Sequence, residues 1–370
     1  MAAAMGVGRF AYTPLLPQMT LAEGWTYAQS GDVASANFLG YLVGALMAPA
    51  LASSHYVRLW VAMSIMLSAG TTYLGAEISG LPAWLTLRFL SGVASAFCLV
   101  IMTGLLMQTL RSERAEHLGN LHFAGVGVGI LLCMAATYMG GDVAEQWARQ
   151  GLVASLCMAI AWFAIGNVAW PTLTANTDTH QRFKVDNTLW RVIVGYGLFG
   201  FGYVIAATFV VAMGERLDDI GMDAGVSWVV VGAATVPSVY LWQWLANTRG
   251  LGFALVLAYL VLATGVLLAG MAETMLLLLI AAVLLGGTFG GITALGLSAG
   301  RALSSNIARV VSAMTVAFSI GQLLGPAVAG RMADLFGSFF WPSALACVLL
   351  LVSAALVPRV TALRIGNHSS

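Results

Sequence analysis

Apolar runs of roughly 20 residues, separated by short polar gaps, follow one another along almost the whole chain. A run of that length crosses a hydrocarbon core of about 30 Å as a helix. Taken in order, the runs predict helices over 2–20, 32–53, 58–76, 82–110, 119–140 and 147–168. A second group follows over 188–213, 225–246, 250–271, 275–299, 309–333 and 339–358. The pattern predicts an all-α membrane protein with twelve transmembrane helices.

The polar gaps sort by charge. One set carries His55, Arg58, Arg111, Arg114, Arg182, Lys184, Arg191, Arg249, Arg301, Arg309, Arg359 and Arg364. The alternate set carries Glu23, Asp32, Glu77, Asp142, Glu145, Glu215, Asp218, Asp219, Asp223, Glu273 and Asp334. Of the 16 basic residues 11 fall in the first set, and of the 15 acidic residues 11 fall in the second. Lys/Arg bias in short loops sets orientation, so the basic loops and the C-terminal tail are expected on the cytoplasmic side. Tryptophans cluster at span ends, as amphipathic rings at an interface do: Trp25, Trp84, Trp147, Trp228 and Trp341 at the acidic ends, and Trp60, Trp170, Trp190, Trp242 and Trp244 at the basic ends. Trp162 alone is expected inside a span. The first span offers about 19 residues, roughly 28 Å of helix, and reads as a helix missing its first turns. It has no basic flank and Arg9 interrupts it, which argues against a cleaved signal peptide.

Composition narrows the function. A net charge of +1, spread over many loops, excludes a nucleic-acid partner. Cys98, Cys133, Cys157 and Cys347 lie in predicted spans without metal-ligand spacing and read as small buried apolar groups. No metal or cofactor site is expected. There is no HExxH, no G-x-S-x-G and no phosphate-cradling Gly-Lys-Ser/Thr, so the chain is not read as an enzyme.

The longest polar stretch, over 171–188, reads as a cytoplasmic linker joining two similar halves. Gly6-x-Gly8 followed by Met19 recurs as Gly200-x-Gly202 followed by Met213. Gly92-x-x-x-Ala96 in the fourth span matches Gly286-x-x-x-Gly290 in the tenth, and Gly125-x-x-x-Gly129 in the fifth matches Gly321-x-x-x-Gly325 in the eleventh. Small residues four apart also arise from ordinary helix packing, but three matches at corresponding spans point to parallel six-helix repeats. The expected organisation is a bundle over 1–168, a linker over 169–187, a second bundle over 188–360 and a cytoplasmic tail over 361–370.

Arg88-Phe-Leu-Ser-Gly92 resembles the Arg-x-x-x-Gly motif of the major facilitator superfamily, and Gly321-x-x-x-Gly325-Pro326 resembles its glycine-proline kink. Three further stretches are similar to the YbfB/YjiJ group within it: Gly6-Val-Gly-Arg-Phe-Ala-Tyr-Thr-Pro-Leu-Leu-Pro-Gln-Met19, Ala34-Ser-Ala-Asn-Phe-Leu-Gly-Tyr-Leu-Val-Gly-Ala45 and Tyr196-Gly-Leu-Phe-Gly-Phe-Gly-Tyr203. The resemblance implies two pseudo-symmetric six-helix bundles around a central cavity, in a bacterial inner membrane. The chain departs from the superfamily in its 52–58 loop, which lacks the usual Asp and most basic residues, and in its fifth span, which has no proline. Charge-relay gating and export therefore do not follow.

Ionisable groups within a span are costly and usually face a cavity or a partner. Arg9 lies mid-span, with Tyr12 and Thr13 on its face. Pro14 and Pro17 deprive the carbonyls of Phe10 and Thr13 of their helical partners. For Arg9 and Arg88 the alternative to a site role is a long stem snorkelling to the surface. His122 is either a proton carrier, its ordinary pKa being near 6.5, or an interfacial hydrogen-bonder. Asn37, Tyr41, Tyr196, Tyr203 and Gln322 either orient a ligand or hold helices together. No Asp or Glu lies mid-span. The expected function is alternating-access secondary transport of a small polar or anionic solute, sugar-like or acid-like, by a monomer coupled to protons or not. A receptor or scaffold with the same fold, or an efflux pump, is the alternative. Besides solute and protons, only membrane lipid is expected as a partner.

Overall fold

Within a bilayer each backbone amide must find its partner inside its own segment, and the apolar runs fold as helices for that reason. The computed structural model describes residues 1–52, 54–112, 122, 124–165, 185–217, 222–304 and 306–358. Among the described residues a π-helical segment, Ala2–Val7, precedes α1 (Tyr12–Glu23), α2 (Tyr27–Ala52), α3 (Val57–Leu74), α4 (Leu81–Ser112), α5 (Ala124–Thr137) and α6 (Val143–Ile165). Then come α7 (Asn187–Gly214), α8 (Gly225–Arg249), α9 (Leu251–Gly270), α10 (Met275–Ala302), α11 (Ile307–Phe336) and α12 (Phe340–Leu356). Eight of these are long and apolar enough to cross a membrane. Most of the expected linker, together with Arg114, Trp170, Arg182, Lys184, Asp218, Asp219, Arg359 and Arg364, lies outside the described residues.

Three details differ from the sequence reading. The first span is not one α-helix: its start is wound with wide turns (Gly6 N–H to Met1 O, 3.1 Å; Gly8 N–H to Ala3 O, 2.7 Å) and breaks before α1. Helix α2 starts at Tyr27, a full turn earlier than the apolar run suggests. Thr26 and Gln29 exchange a reciprocal capping pair there (Thr26 N–H to Gln29 Oε1, 2.9 Å; Gln29 N–H to Thr26 Oγ1, 3.3 Å). The Asp334 carboxylate accepts from the Tyr27 and Ala28 amides at 3.0 and 2.7 Å, so a residue of α11 completes the cap. Lastly, Trp84, Trp147 and Trp228 are fully buried and do not form a lipid-facing belt. They pack inward at the acidic ends, where Trp84 packs at a tilt against Trp147 (5.3 Å, 48°) and donates Nε1–H to Glu23 Oε1 (3.1 Å). A ring's depth was readable from sequence; the direction it faced was not.

Lipid tails are as apolar as leucine, so helix association in a bilayer rests on close packing and on buried polar contacts. The glycine repeats supply the packing, and they do so twice. A Cβ at Gly92 would collide with the Asn37 carbonyl of α2, and a Cβ at Gly286 with the Val231 carbonyl of α8. Helix α10 thus sits on α8 as α4 sits on α2. Likewise Gly129 of α5 abuts Ala2 and Gly6 of the first span, while Gly325 of α11 abuts Phe201 and Val204 of α7. Contacts between the two sets of helices run through α2 with α11, α5 with α8, and α1 with α7. That seam holds the candidate site.

Candidate functional site

The site begins with a missing amide. Pro14 has no N–H for the Phe10 carbonyl, which instead takes the Thr13 N–H at 3.3 Å. Thr13 would otherwise serve the Arg9 carbonyl, so the orphan acceptor is displaced from Phe10 to Arg9. Arg88 fills it: one terminal nitrogen donates to Arg9 O (2.9 Å) and the other to Gly8 O (3.1 Å), with Ser91 Oγ adding a bond to Gly8 O at 3.2 Å. Arg88 is 4% exposed and lies 5.2 Å from the Tyr12 ring centre, so it does not snorkel. Tyr12 donates to Ser30 O (2.8 Å) and Asn37 Nδ2–H to Arg88 O (3.1 Å). These contacts hold Arg88, Tyr12 and Asn37 to backbone around the broken first span.

With its carbonyl held, Arg9 projects its side chain into the seam. The guanidinium is 4% exposed and lies 4.5 Å from the Phe38 ring centre and 4.7 Å from that of Tyr41, near enough for cation–π attraction. One terminal nitrogen donates to Gln322 Oε1 of α11 at 2.9 Å. Gln322 Nε2–H in turn donates to the Tyr203 hydroxyl of α7. The Arg9 Nε–H is buried without a partner among the described residues. Beside this chain lies a cavity of about 80 Å³, lined on its polar side by Arg9, Tyr41, Tyr203, Thr235 and Thr293. Phe10, Phe289 and Phe318 supply much of the apolar wall. The Tyr203 ring stacks nearly parallel to Phe289 (5.6 Å, 9°) and to Phe318 (5.7 Å, 3°).

Of the residues singled out from sequence, the structure brings Arg9, Tyr41, Tyr203 and Gln322 together. Tyr196 stands behind them, donating to Thr293 O (3.3 Å) and stacking on Phe318 (5.0 Å). His122 is elsewhere. It meets Thr103 Oγ1 at 3.3 Å and lines a separate cavity of about 340 Å³ with Met1, Cys98, Cys157 and Met158, among others. Sequence reasoning missed Phe38, Phe318 and Phe289. The first two carried a signal, since Phe38 is i−3 to Tyr41 and Phe318 is i−4 to Gln322, spacings that put them on the same helix faces.

A polar cavity of about 250 Å³ opens at the acidic end of the seam, lined by Gln18, Tyr138, Gln146, Glu215 and Asp223, with Thr137 beside them. Loss of solvation, then the charge of Asp223, pushes the Glu215 carboxyl above its usual range. Asp32 and Arg331 form a forked ion pair, at 2.7 and 3.0 Å, joining α2 to α11.

A family model described as the uncharacterised MFS-type transporter YbfB matches residues 1–358. No curated protein matches the chain by sequence. Among solved structures, a crystal structure of a point mutant of the nucleoside transporter NupG superposes with a TM-score of 0.73 over 96% of this chain and 97% of that one, at 13% identity. Identity that low shows a shared fold and carries no information about substrate.

Proposed function

The chain belongs to the MFS-type transporter family described by YbfB, and from that premise we propose that it moves a small polar or anionic organic solute by alternating access. The observation that carries this reading is the Arg9–Gln322–Tyr203 chain. It crosses from one set of helices to the other beside a cavity, so a solute bound there is contacted by both. In parallel-repeat transporters the site lies at such an interface, and rocking one repeat against the other exposes it to alternate sides. The two units that rock are the bundles over 1–168 and 188–360, and the charge bias supports a cytoplasmic linker and tail.

Arg9 is the fixed positive group of the site. A lysine at this position keeps the charge but not the planar fork, so it cannot reproduce the fixed geometry with which Arg9 can meet Gln322 and a solute together. Losing one partner of a buried charged hydrogen bond costs about 2–5 kcal/mol. Arg9→Lys is therefore expected to weaken solute binding at least about tenfold while the protein still purifies as a monodisperse species. Counterflow into proteoliposomes checks the reading directly: no exchange of any solute would favour a receptor or scaffold on the same fold, and full binding in Arg9→Lys would remove Arg9 from the site.

A further inference from the structure

Resting on the transport reading above, we infer that the solute is a flat organic monocarboxylate with an apolar body, an aromatic acid by class, rather than a sugar or a nucleoside. Gln322, the single carboxamide in contact with Arg9, has both ends committed: its oxygen accepts from Arg9 and its nitrogen donates to Tyr203. The two threonine hydroxyls of the lining donate inside their own helices, Thr235 Oγ1 to Val231 O at 2.7 Å and Thr293 Oγ1 to Phe289 O at 2.8 Å. Their protons are spent, so the threonines face the cavity only as acceptors, and the donors come from elsewhere. Arg9 gives only one of its nitrogens to a hydrogen bond among the described residues, its Nε–H being buried and unpaired, and the Tyr203 hydroxyl, which accepts from Gln322, keeps its own proton to give. The Tyr41 hydroxyl has no hydrogen-bond partner among the described residues, and its ring lies 4.7 Å from the guanidinium.

A buried guanidinium flanked by tyrosine hydroxyls suits a carboxylate, which accepts through two oxygens and brings the opposite charge. A sugar or a nucleoside brings no charge to the guanidinium, and most of its many polar groups would meet an apolar, aromatic wall. No Asp or Glu pairs with Arg9 among the described residues, so a bound carboxylate would supply the counter-charge the buried guanidinium lacks. The remaining wall is apolar: Met5, Leu99 and Val126 on one side, and the near-parallel Phe289, Tyr203 and Phe318 rings on the other. Flat rings reward a flat solute, by offset stacking or edge contact. At about 80 Å³ the cavity is smaller than the roughly 150 Å³ that admits benzene, so a solute of this class enters as the helices part and not into the closed form.

The test uses the purified full chain with benzoate, benzyl alcohol, glucose and uridine as probes, read by thermal stabilisation and by counterflow in proteoliposomes. Benzoate is expected to stabilise the protein and to exchange, whereas benzyl alcohol, equal in shape but uncharged, glucose and uridine do neither. Arg9→Gln should abolish the benzoate response. Tyr41→Phe, which keeps the ring and removes one donor, should weaken it about threefold to tenfold, and it guards against a misfolded Arg9→Gln. Exchange of glucose or uridine without benzoate would overturn the inference and leave the transport reading standing. Arg9-dependent benzoate binding without exchange would do the reverse. If benzoate does not bind, the inference is wrong.

Discussion

Two arginines buried in one membrane protein do different work, and their partners tell them apart. Arg88 gives both terminal nitrogens to the backbone of the first span, whereas Arg9 gives one to a side chain and leaves its Nε–H unpaired beside the cavity. Charged hydrogen bonds of this kind contribute about 1.5–3 kcal/mol each. Arg88→Leu would leave the Gly8 and Arg9 carbonyls short of donors, and is expected to lower the thermal midpoint sharply, by an amount that Arg9→Lys does not approach. Comparing the melting of the two variants with no solute present checks this, and equal midpoints would refute the division of labour. His122 makes a separate case. It is hydrogen-bonded to Thr103 and lies away from the Arg9 cavity. Because no mid-span carboxylate is available as a proton carrier, His122→Gln is expected to flatten the pH profile of transport between about pH 5 and 8 with expression unchanged. A profile identical to the parent would point to facilitated diffusion or to another coupling ion.

At the scale of elements, helix pairs are set by where a backbone can come closest. Gly92 against Asn37 and Gly286 against Val231 place α4 on α2 and α10 on α8 in the same way. Valine at either glycine adds bulk against a carbonyl that cannot move without its helix, and overpacking of this kind costs about 1–3 kcal/mol or more. Gly92→Val and Gly286→Val should each reduce the yield of folded protein, and by similar amounts if the two pairs are equivalent; a harmless Gly286→Val would break that equivalence. These pairs were legible in the sequence because glycine at i and i+4 is a local pattern. So were the spans, from run length; Arg9 stood out for its cost in a membrane, and the structure buries it. The start of α2 was not, since its cap comes from Asp334, distant in sequence. Nor was the role of Arg88. A sequence shows that Pro14 frees a carbonyl, but not that Thr13 passes the vacancy to Arg9, where Arg88 meets it. The aromatic wall was hidden for a related reason: phenylalanines occur in most spans, and only the crossing of α7, α10 and α11 selects Phe289 and Phe318.

At the scale of the whole molecule, the question is what holds α2 against α11 on the acidic side of the seam. Two polar ties join α2 to α11 there: the Asp32–Arg331 fork and the Asp334 carboxylate on the amides of Tyr27 and Ala28. Beneath them Gly31 lies against the Pro326 carbonyl, a close backbone contact that needs no charge. Their magnitudes differ. The Asp32 and Arg331 side chains are 33% and 57% exposed, so their pair is worth about 0–1 kcal/mol after solvent screening. A carboxylate on helix N-terminal amides contributes about 0.5–2 kcal/mol. One kcal/mol changes a two-state ratio only about fivefold. Removing either tie should therefore bias the opening of this side and not hold it open. Asp32→Asn and Asp334→Asn are each expected to speed labelling of a cysteine at Thr235 by a membrane-impermeant maleimide, applied from the acidic-loop side of a cysteine-free background. The gain should be up to about fivefold for Asp32→Asn and somewhat more for Asp334→Asn, with the larger effect in the double variant. High salt should mimic Asp32→Asn in the parent and add little to it, because an exposed pair is screened. Unchanged labelling in the double variant would mean that the Gly31–Pro326 packing alone holds the acidic side closed, and that the charges are incidental to the transport cycle.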